Sequence, residues 1–247
     1  MSAVEDRRRL RRLSLAMMAV KTPIMAYTAP GRVPETRVER PDPMALVVET
    51  ANALTQASLH CGLYGGMALA AYGNAREAPD AAYVCRETDL SPALTALHAL
   101  YPDALPGQAA TLPTGRREQS LLIPNGSGQQ AQRFGTVTFV THIDNHYMAR
   151  MMHRCIDTRL LGIPMTFISP EDFLVLNVLS DSVHDIEDAI SVLFTYPQTI
   201  DRALVVQELR SLVDRFPEAA ILQRWGDVEA RAAVKPKDIT RLDLENS

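Results

Sequence analysis

The residues whose types and spacing point most directly to chemistry are the pair Gly65-Gly66 and the aspartate Asp80, with residues 67–79 between them. Paired glycines let a backbone come close to phosphate groups, whose charge is favoured at a helix N-terminus. An aspartate at the start of a strand can ligate a divalent cation, and carboxylates on alternate strand positions share one face and can hold two. Asp80 therefore has two readings: a Mg²⁺ ligand, or a strand-end aspartate after Pro79 held by solvent or backbone donors. Mg²⁺ usually relies on one or two carboxylates plus substrate phosphates, so a lone Asp80 would make a weak site. Arg76 either grips a phosphate or pairs with Glu77 or Glu87 on the surface. His142, Asp144 and His146 imitate a metal cluster, but they sit where a strand runs into a helix and read as exposed turn residues. No Gly-x-Ser-x-Gly elbow or Walker loop is present.

Local patterns indicate the elements that must position these residues. Asp42-Pro43 is a helix start with an N-cap and an N1 proline, and Met44, Leu46, Val47, Leu54 and Leu59 give that helix a buried stripe. Leu63-Tyr64 reads as a short strand, Met67 to Tyr72 as a small-residue helix, Asp80 to Cys85 as a strand and Leu90 to Leu100 as a helix. Residues 105–134 mix Gly, Pro, Ser and Gln with short apolar pieces such as Leu121-Leu122-Ile123, and Asn125-Gly126 is a hairpin signal. Thr136 to Thr141 alternates like a strand, and His146 to Arg154 reads as a helix. A strand pair follows around Arg159-Leu160-Leu161 and Met165 to Ile168. Ser169-Pro170-Glu171-Asp172 supplies an N-cap, an N1 proline and an acidic N3 residue; beyond it helices are expected near 170–180, 184–195, 199–215 and 217–232.

The expected fold is α+β, a mixed sheet with flanking helices and a C-terminal helical lobe. The expected organisation is a basic helix and proline-rich linker over 1–43, an α/β core over 44–168, the helical lobe over 169–235 and a polar tail over 236–247. The 247 residues suffice for a proper core, and 47% hydrophobic and 22% charged residues are ordinary for a globular chain. A net charge of −4 argues against binding nucleic acid over the whole surface. Arg7, Arg8, Arg9, Arg11 and Arg12 lie on a short helix best read as solvated and docked by its leucines and methionines. The alternative is a basic arm contacting RNA, an acidic partner or a membrane surface. Cys61, Cys85 and Cys155 are scattered and read as small buried hydrophobes or inert thiols. No apolar run approaches the roughly 20 residues of a membrane span, so a cytoplasmic location is expected by default.

The stretch from Cys61 to Val84 resembles the first motif of the nucleotidyltransferase superfamily: a Gly-Gly turn, a short helix, then Asp-x-Asp on a strand. Gly162-Ile-Pro-Met-Thr-Phe-Ile-Ser-Pro-Glu-Asp-Phe resembles the family's approach to its helical lobe. The match runs from about 44 to 196 and is similar to the minimal nucleotidyltransferases that include abortive-infection toxins of bacterial type IV toxin–antitoxin systems. The resemblance implies a nucleotide bound near Gly65, Gly66 and Arg76, and Mg²⁺ held by three carboxylates. Asp80 matches the first of them, Ala82 stands at the second and Thr138 aligns with the third. A lysine expected to contact phosphate is Asn177. Asp185 and Asp188 match a Lys-Asp-x-x-Asp segment, with His184 in place of the lysine.

The resemblance thus implies a catalytically degenerate nucleotidyltransferase-fold protein that binds a nucleotide or a partner in a regulatory or defence-related role. The first alternative is an active Mg²⁺-dependent toxin-like transferase moving a nucleotidyl group to RNA or protein, with carboxylates drawn from Glu77, Glu87, Asp89 or Asp144. The second is a non-enzymatic protein that captures protein or RNA through its basic arm.

Overall fold

The computed structural model describes residues 43–72, 74, 80–124, 134–160, 163–180 and 182–234. The predicted basic helix and linker, Arg76 and Glu77, the Asn125-Gly126 turn and the tail lie outside the described residues. Among the described residues, the helices are α1 (Pro43–Gln56), α2 (Gly65–Ala71), α3 (Glu87–Leu100), α4 (Asn145–His153), α5 (Pro170–Val178), α6 (Val183–Thr195), α7 (Arg202–Val213) and α8 (Ile221–Ala233). The strands are β1 (Gly62–Tyr64), β2 (Ala81–Val84), β3 (Leu105–Thr111), β4 (Arg116–Pro124), β5 (Phe134–His142), β6 (Ile156–Leu160) and β7 (Ile163–Phe167). They form one sheet of seven strands in the order β3-β4-β5-β2-β1-β7-β6. β2 runs parallel to β5 and β1 parallel to β7, and the other neighbours are antiparallel. The fold is α+β, with a mixed sheet, flanking helices and a C-terminal helical lobe, as the sequence pattern predicts.

Strand alternation sorts the sheet into two faces. Leu63, Ala81, Tyr83, Val137, Phe139 and Leu121 are buried and share one face. α1 closes on it, and the Thr50 and Tyr83 hydroxyls meet there at 2.7 Å. The opposite face carries Tyr64, Ala82, Thr138 and Ser120. α5 packs against it, with the Phe173 ring centroid 5.6 Å from that of Tyr64.

α5 is buried from Glu171 to Val178 and anchors the helical lobe. It starts as its sequence dictates: Pro170 follows the N-cap, Ser169 Oγ accepts from the Asp172 amide at 3.1 Å, and Asp172 Oδ2 accepts from Ser169 Oγ at 2.7 Å. Arg154, at the end of α4, donates to Asp172 at 2.6 and 2.9 Å and to Glu208 of α7 at 2.8 Å. Two buried carboxylates are thereby paired rather than left unsatisfied.

Two stretches differ from the sequence-based expectation. α3 starts at Glu87 rather than Leu90 and contains Pro92; Glu87 and Asp89 place negative charge in its first turn, where the helix dipole favours it. Residues 105–124 form a full hairpin, β3–β4, where the sequence pattern marked only short apolar pieces. The proline and glycine of β3 are tolerated because it is an edge strand, bulged between Pro106 and Ala109. Gly107 has a packing reason as well, since a Cβ there would come 2.5 Å from Ser120 Oγ.

Candidate functional site

β1 passes into α2 with no intervening loop, and the turn is made by Gly65 at φ +64. That left-handed backbone favours glycine. The turn lies close over β2, so that a Cβ on Gly65 would come 3.2 Å from the Ala82 methyl. Gly66 is already within α2. Gly65 is therefore explained first by packing of the turn on β2.

Register settles which side chains share the floor beneath this turn. Ala82 lies opposite Tyr64 on β1 and opposite Thr138 on β5, and Thr138 lies opposite Ser120 on β4. The position that the sequence pattern assigned to a third carboxylate is thus the direct neighbour of the second. Both hold uncharged, half-buried side chains. Asp80 is exposed, immediately ahead of β2. Among the described residues, no three His, Cys, Asp or Glu side chains come together in a way that could hold a metal ion. The methyl of Ala82 and the hydroxyl of Thr138 do not fit a two-cation site.

The acidic residues proposed as substitutes are placed otherwise. Glu87 accepts from Arg117 at 2.9 Å and from Thr141 at 2.8 Å, on the opposite sheet face. Asp144 caps α4, accepting from the amides of His146 and Tyr147 at 2.9 and 3.2 Å. Asp89 lies in the first turn of α3. His142 is buried rather than exposed as expected; its Nε2–H donates to the Thr114 carbonyl at 2.9 Å, and its Nδ1 accepts from the Asp144 amide at 2.9 Å. His142 is thus committed to backbone partners, and Asp144 to the amides of α4 and, through Oδ2, to Arg215 at 3.2 Å, which explains their spacing without a metal.

The most elaborate polar arrangement beside the turn centres on Arg116 of β4. Its Nη1 donates to Leu176 O at 2.7 Å and Tyr64 Oη at 3.1 Å, and lies 3.1 Å from Asp185 Oδ2. Nη2 lies 2.6 Å from Glu118 Oε1, and the guanidinium carbon is 5.3 Å from the Tyr64 ring centroid. Tyr64 in turn donates its hydroxyl to Asn177 Oδ1. Of the two residues that the family resemblance singled out, Asn177 thus meets Tyr64, the residue preceding the glycine pair, directly, and Asp185 meets it through the Arg116 guanidinium. Burial raises the Tyr64 pKa, only partly opposed by Arg116, so the phenol keeps its proton. Burial lowers that of Arg116, but Tyr64, Asp185 and Glu118 outweigh it and the net shift is upward. The arrangement is a buried cation paired with two carboxylates, beside the neutral Tyr64 and Asn177 side chains. Among the described residues, Arg116 Nε and Asn177 Nδ2 are buried without an acceptor, so two donor nitrogens remain to be satisfied.

Sequence reasoning missed Arg116, Glu118 and the role of Tyr64. No local signal marked them, because Arg116 to Gln119 is polar at both strand parities. His184 is exposed and Asp188 buried on α6.

No family model matches this chain, and no curated protein does. Among solved structures, it is similar to the crystal structure of an antigenic nucleotidyltransferase-like protein from Paracoccidioides brasiliensis. That match has 16% identity over 78% of this chain and 93% of the other, with a TM-score of 0.41. It is also similar to the solution structure of the antibiotic-resistance factor ANT(2'')-Ia, at 15% identity over 76% and 96%, TM-score 0.43. The crystal structure of ANT(2'')-Ia in complex with adenylyl-2''-tobramycin matches at 14% identity over 76% and 94%, TM-score 0.38. Likeness at this level assigns no substrate, partner or activity to this chain.

Proposed function

We propose that this chain is a nucleotidyltransferase-fold protein without metal-dependent transfer chemistry, acting by binding a nucleotide or a partner in a regulatory role. The observation that carries this reading is the row Tyr64–Ala82–Thr138–Ser120, which runs beneath the Gly65 turn with no carboxylate in it. A two-cation mechanism needs carboxylates that bridge both ions, and one exposed aspartate cannot replace them. Asn177 supports the same reading, because its side chain is held by Tyr64 rather than offered as a charge to phosphate.

The binding half of the proposal rests on the retained turn and on Arg116 Nε and Asn177 Nδ2 beside it, which have no acceptor among the described residues. The test is calorimetric titration of the full chain with ATP, GTP, CTP and UTP, with and without Mg²⁺, run beside a radiolabelled transfer assay containing Mg²⁺ or Mn²⁺. The expected result is nucleotide binding that does not require Mg²⁺, with no label transferred. Label incorporated at enzyme-like rates would overturn the loss of chemistry. Absence of heat with all four nucleotides would leave partner binding as the function.

A further inference from the structure

Cys61 and Cys85, scattered in sequence, are brought face to face by the sheet. Gly62 pairs with Val84 in the antiparallel β1–β2 ladder, so the next pair outward is Cys61 opposite Cys85. Directly opposed residues of an antiparallel pair have Cα atoms about 4.5–5.5 Å apart, within the span a disulfide bridges. Alternation puts both thiols on the face of Leu63 and Tyr83. The Cys85 amide donates to Val140 O at 3.2 Å, which holds its backbone in line with the strand. Cys155 belongs to the other face, beside Gly62, where an added Cβ would meet its sulfur at 3.1 Å.

The two thiols differ in access. Cys85 is fully buried, whereas Cys61 is 9% exposed and lines a cavity of about 330 Å³ with Leu54, Leu59, Tyr83 and Met165. A hydroperoxide can reach Cys61 through that cavity. The hydrogen bond with Cys61 and then burial raise the Cys85 pKa. Cys61, which lines the cavity, is the sulfur placed to react first. Burial pushes the Cys155 thiol up to about 12, which keeps it unreactive.

We propose that Cys61 and Cys85 are a reversible redox pair that closes into a disulfide on exposure to a hydroperoxide, stapling β1 to β2 behind the Gly65–Ala82 contact. The Cys61 sulfur attacks one peroxide oxygen of hydrogen peroxide; the S–O bond forms, the O–O bond breaks, and the displaced hydroxide leaves as water with the Cys61 proton, giving a sulfenic acid. The Cys85 sulfur then attacks the Cys61 sulfenic sulfur. The S–S bond forms, the S–O bond breaks, and hydroxide departs as water with the Cys85 proton. Two thiols are oxidised by two electrons, and one hydrogen peroxide is reduced to two waters. The segment enclosed by the bond carries Gly65, Gly66, Asp80 and Ala82, so oxidation fixes the turn against the strand it covers.

The test is peptide mapping of the full chain after hydrogen peroxide, with alkylation under denaturing, non-reducing conditions. The expected product is a Cys61–Cys85 cross-linked peptide with Cys155 alkylated, unchanged in Cys155→Ser and reversed by dithiothreitol. The oxidised chain should melt about 5 °C or more higher than the reduced chain. In Cys61→Ser the cross-link is lost and Cys85 stays alkylatable; if that variant does not fold, the wild-type map decides. A Cys61–Cys155 cross-link, Cys61 halted as sulfinic acid with Cys85 free, or three intact thiols after methionines have oxidised would each overturn the proposal.

Discussion

Ala82 stands directly opposite Thr138 on the neighbouring parallel strand, under a glycine turn whose closest approach is to the Ala82 methyl. Adjacent parallel strands lie about 4.8 Å apart, so side chains at these two positions reach the same point in space. Two acidic substitutions at these positions would meet on one sheet face, next to the strand end that carries Asp80.

Ala82→Asp combined with Thr138→Asp should therefore create a divalent-cation site. Calorimetry with Mn²⁺ should detect binding at about 1 mM or tighter, as expected for a few oxygen ligands on an exposed site. Adding Asp80→Asn to the double variant should remove it. Both positions are half-buried, so the new carboxylates can point outward and the fold should survive. If the double variant binds no Mn²⁺, this row is not the floor of a metal site in any related arrangement.

Arg116 joins sheet and helical lobe through Tyr64, Glu118, Leu176 O and Asp185, and its own side chain is 4% exposed. Arg116→Met leaves the Leu176 carbonyl and two carboxylates without their cation, and should cost about 3–5 kcal/mol in urea unfolding. Glu118→Gln should cost under about 1 kcal/mol, because its side chain is 32% exposed and solvent screens the pair. Equal losses for the two variants would mean that burial does not govern this network.

The contrast between these predictions shows what the chain makes legible. Capping residues act locally, so the Ser169 start of α5 and the Pro43 start of α1 can be read from a few letters. The Gly65 turn and the neutral positions 82 and 138 were legible through motif spacing, and strand register placed them side by side. Arg116 was not legible, because its partners are contributed by β1, β4, α5 and α6, and only tertiary packing brings those together. The β3–β4 hairpin was hidden for a related reason: pairing along β4 overrides the weak strand preference of Pro106 and Gly107. The cysteines show the same limit, since their opposition follows from the β1–β2 register rather than their sequence separation.

Gly65→Ala tests the turn itself. The substitution forces a side chain into φ +64 and sets its Cβ 3.2 Å from that of Ala82. Left-handed backbone costs roughly 1–2 kcal/mol for a non-glycine residue, and the tight contact adds to it. A fall in stability of about 2 kcal/mol is expected in chemical denaturation. Gly226, whose added Cβ would meet nothing within 4 Å, lies inside α8; Gly226→Ala should stabilise by about 0.5–1 kcal/mol through helix propensity.

His142 gives the chain a pH dependence with a definite sign. Burial is the largest influence on its imidazole and, with Arg215 and Arg117, holds the pKa below the ordinary 6.5 against the opposing pull of the Thr114 carbonyl and Asp144. The geometry agrees: Nδ1 accepts the Asp144 amide, so a proton placed there breaks that bond inside a buried site. The unfolded chain takes up its proton near pH 6.5, while the folded chain does so only at lower pH. Between those two values the unfolded state binds more protons, so stability falls as pH falls, by at most about 1.4 kcal/mol per pH unit. Above pH 7 this contribution is flat, and below the folded pKa it is flat again. Urea unfolding from pH 7.5 to 5 should show the decline, and His142→Asn, less stable throughout, should lose this component of the slope. A wild-type slope unchanged by the substitution would place the proton uptake on another group.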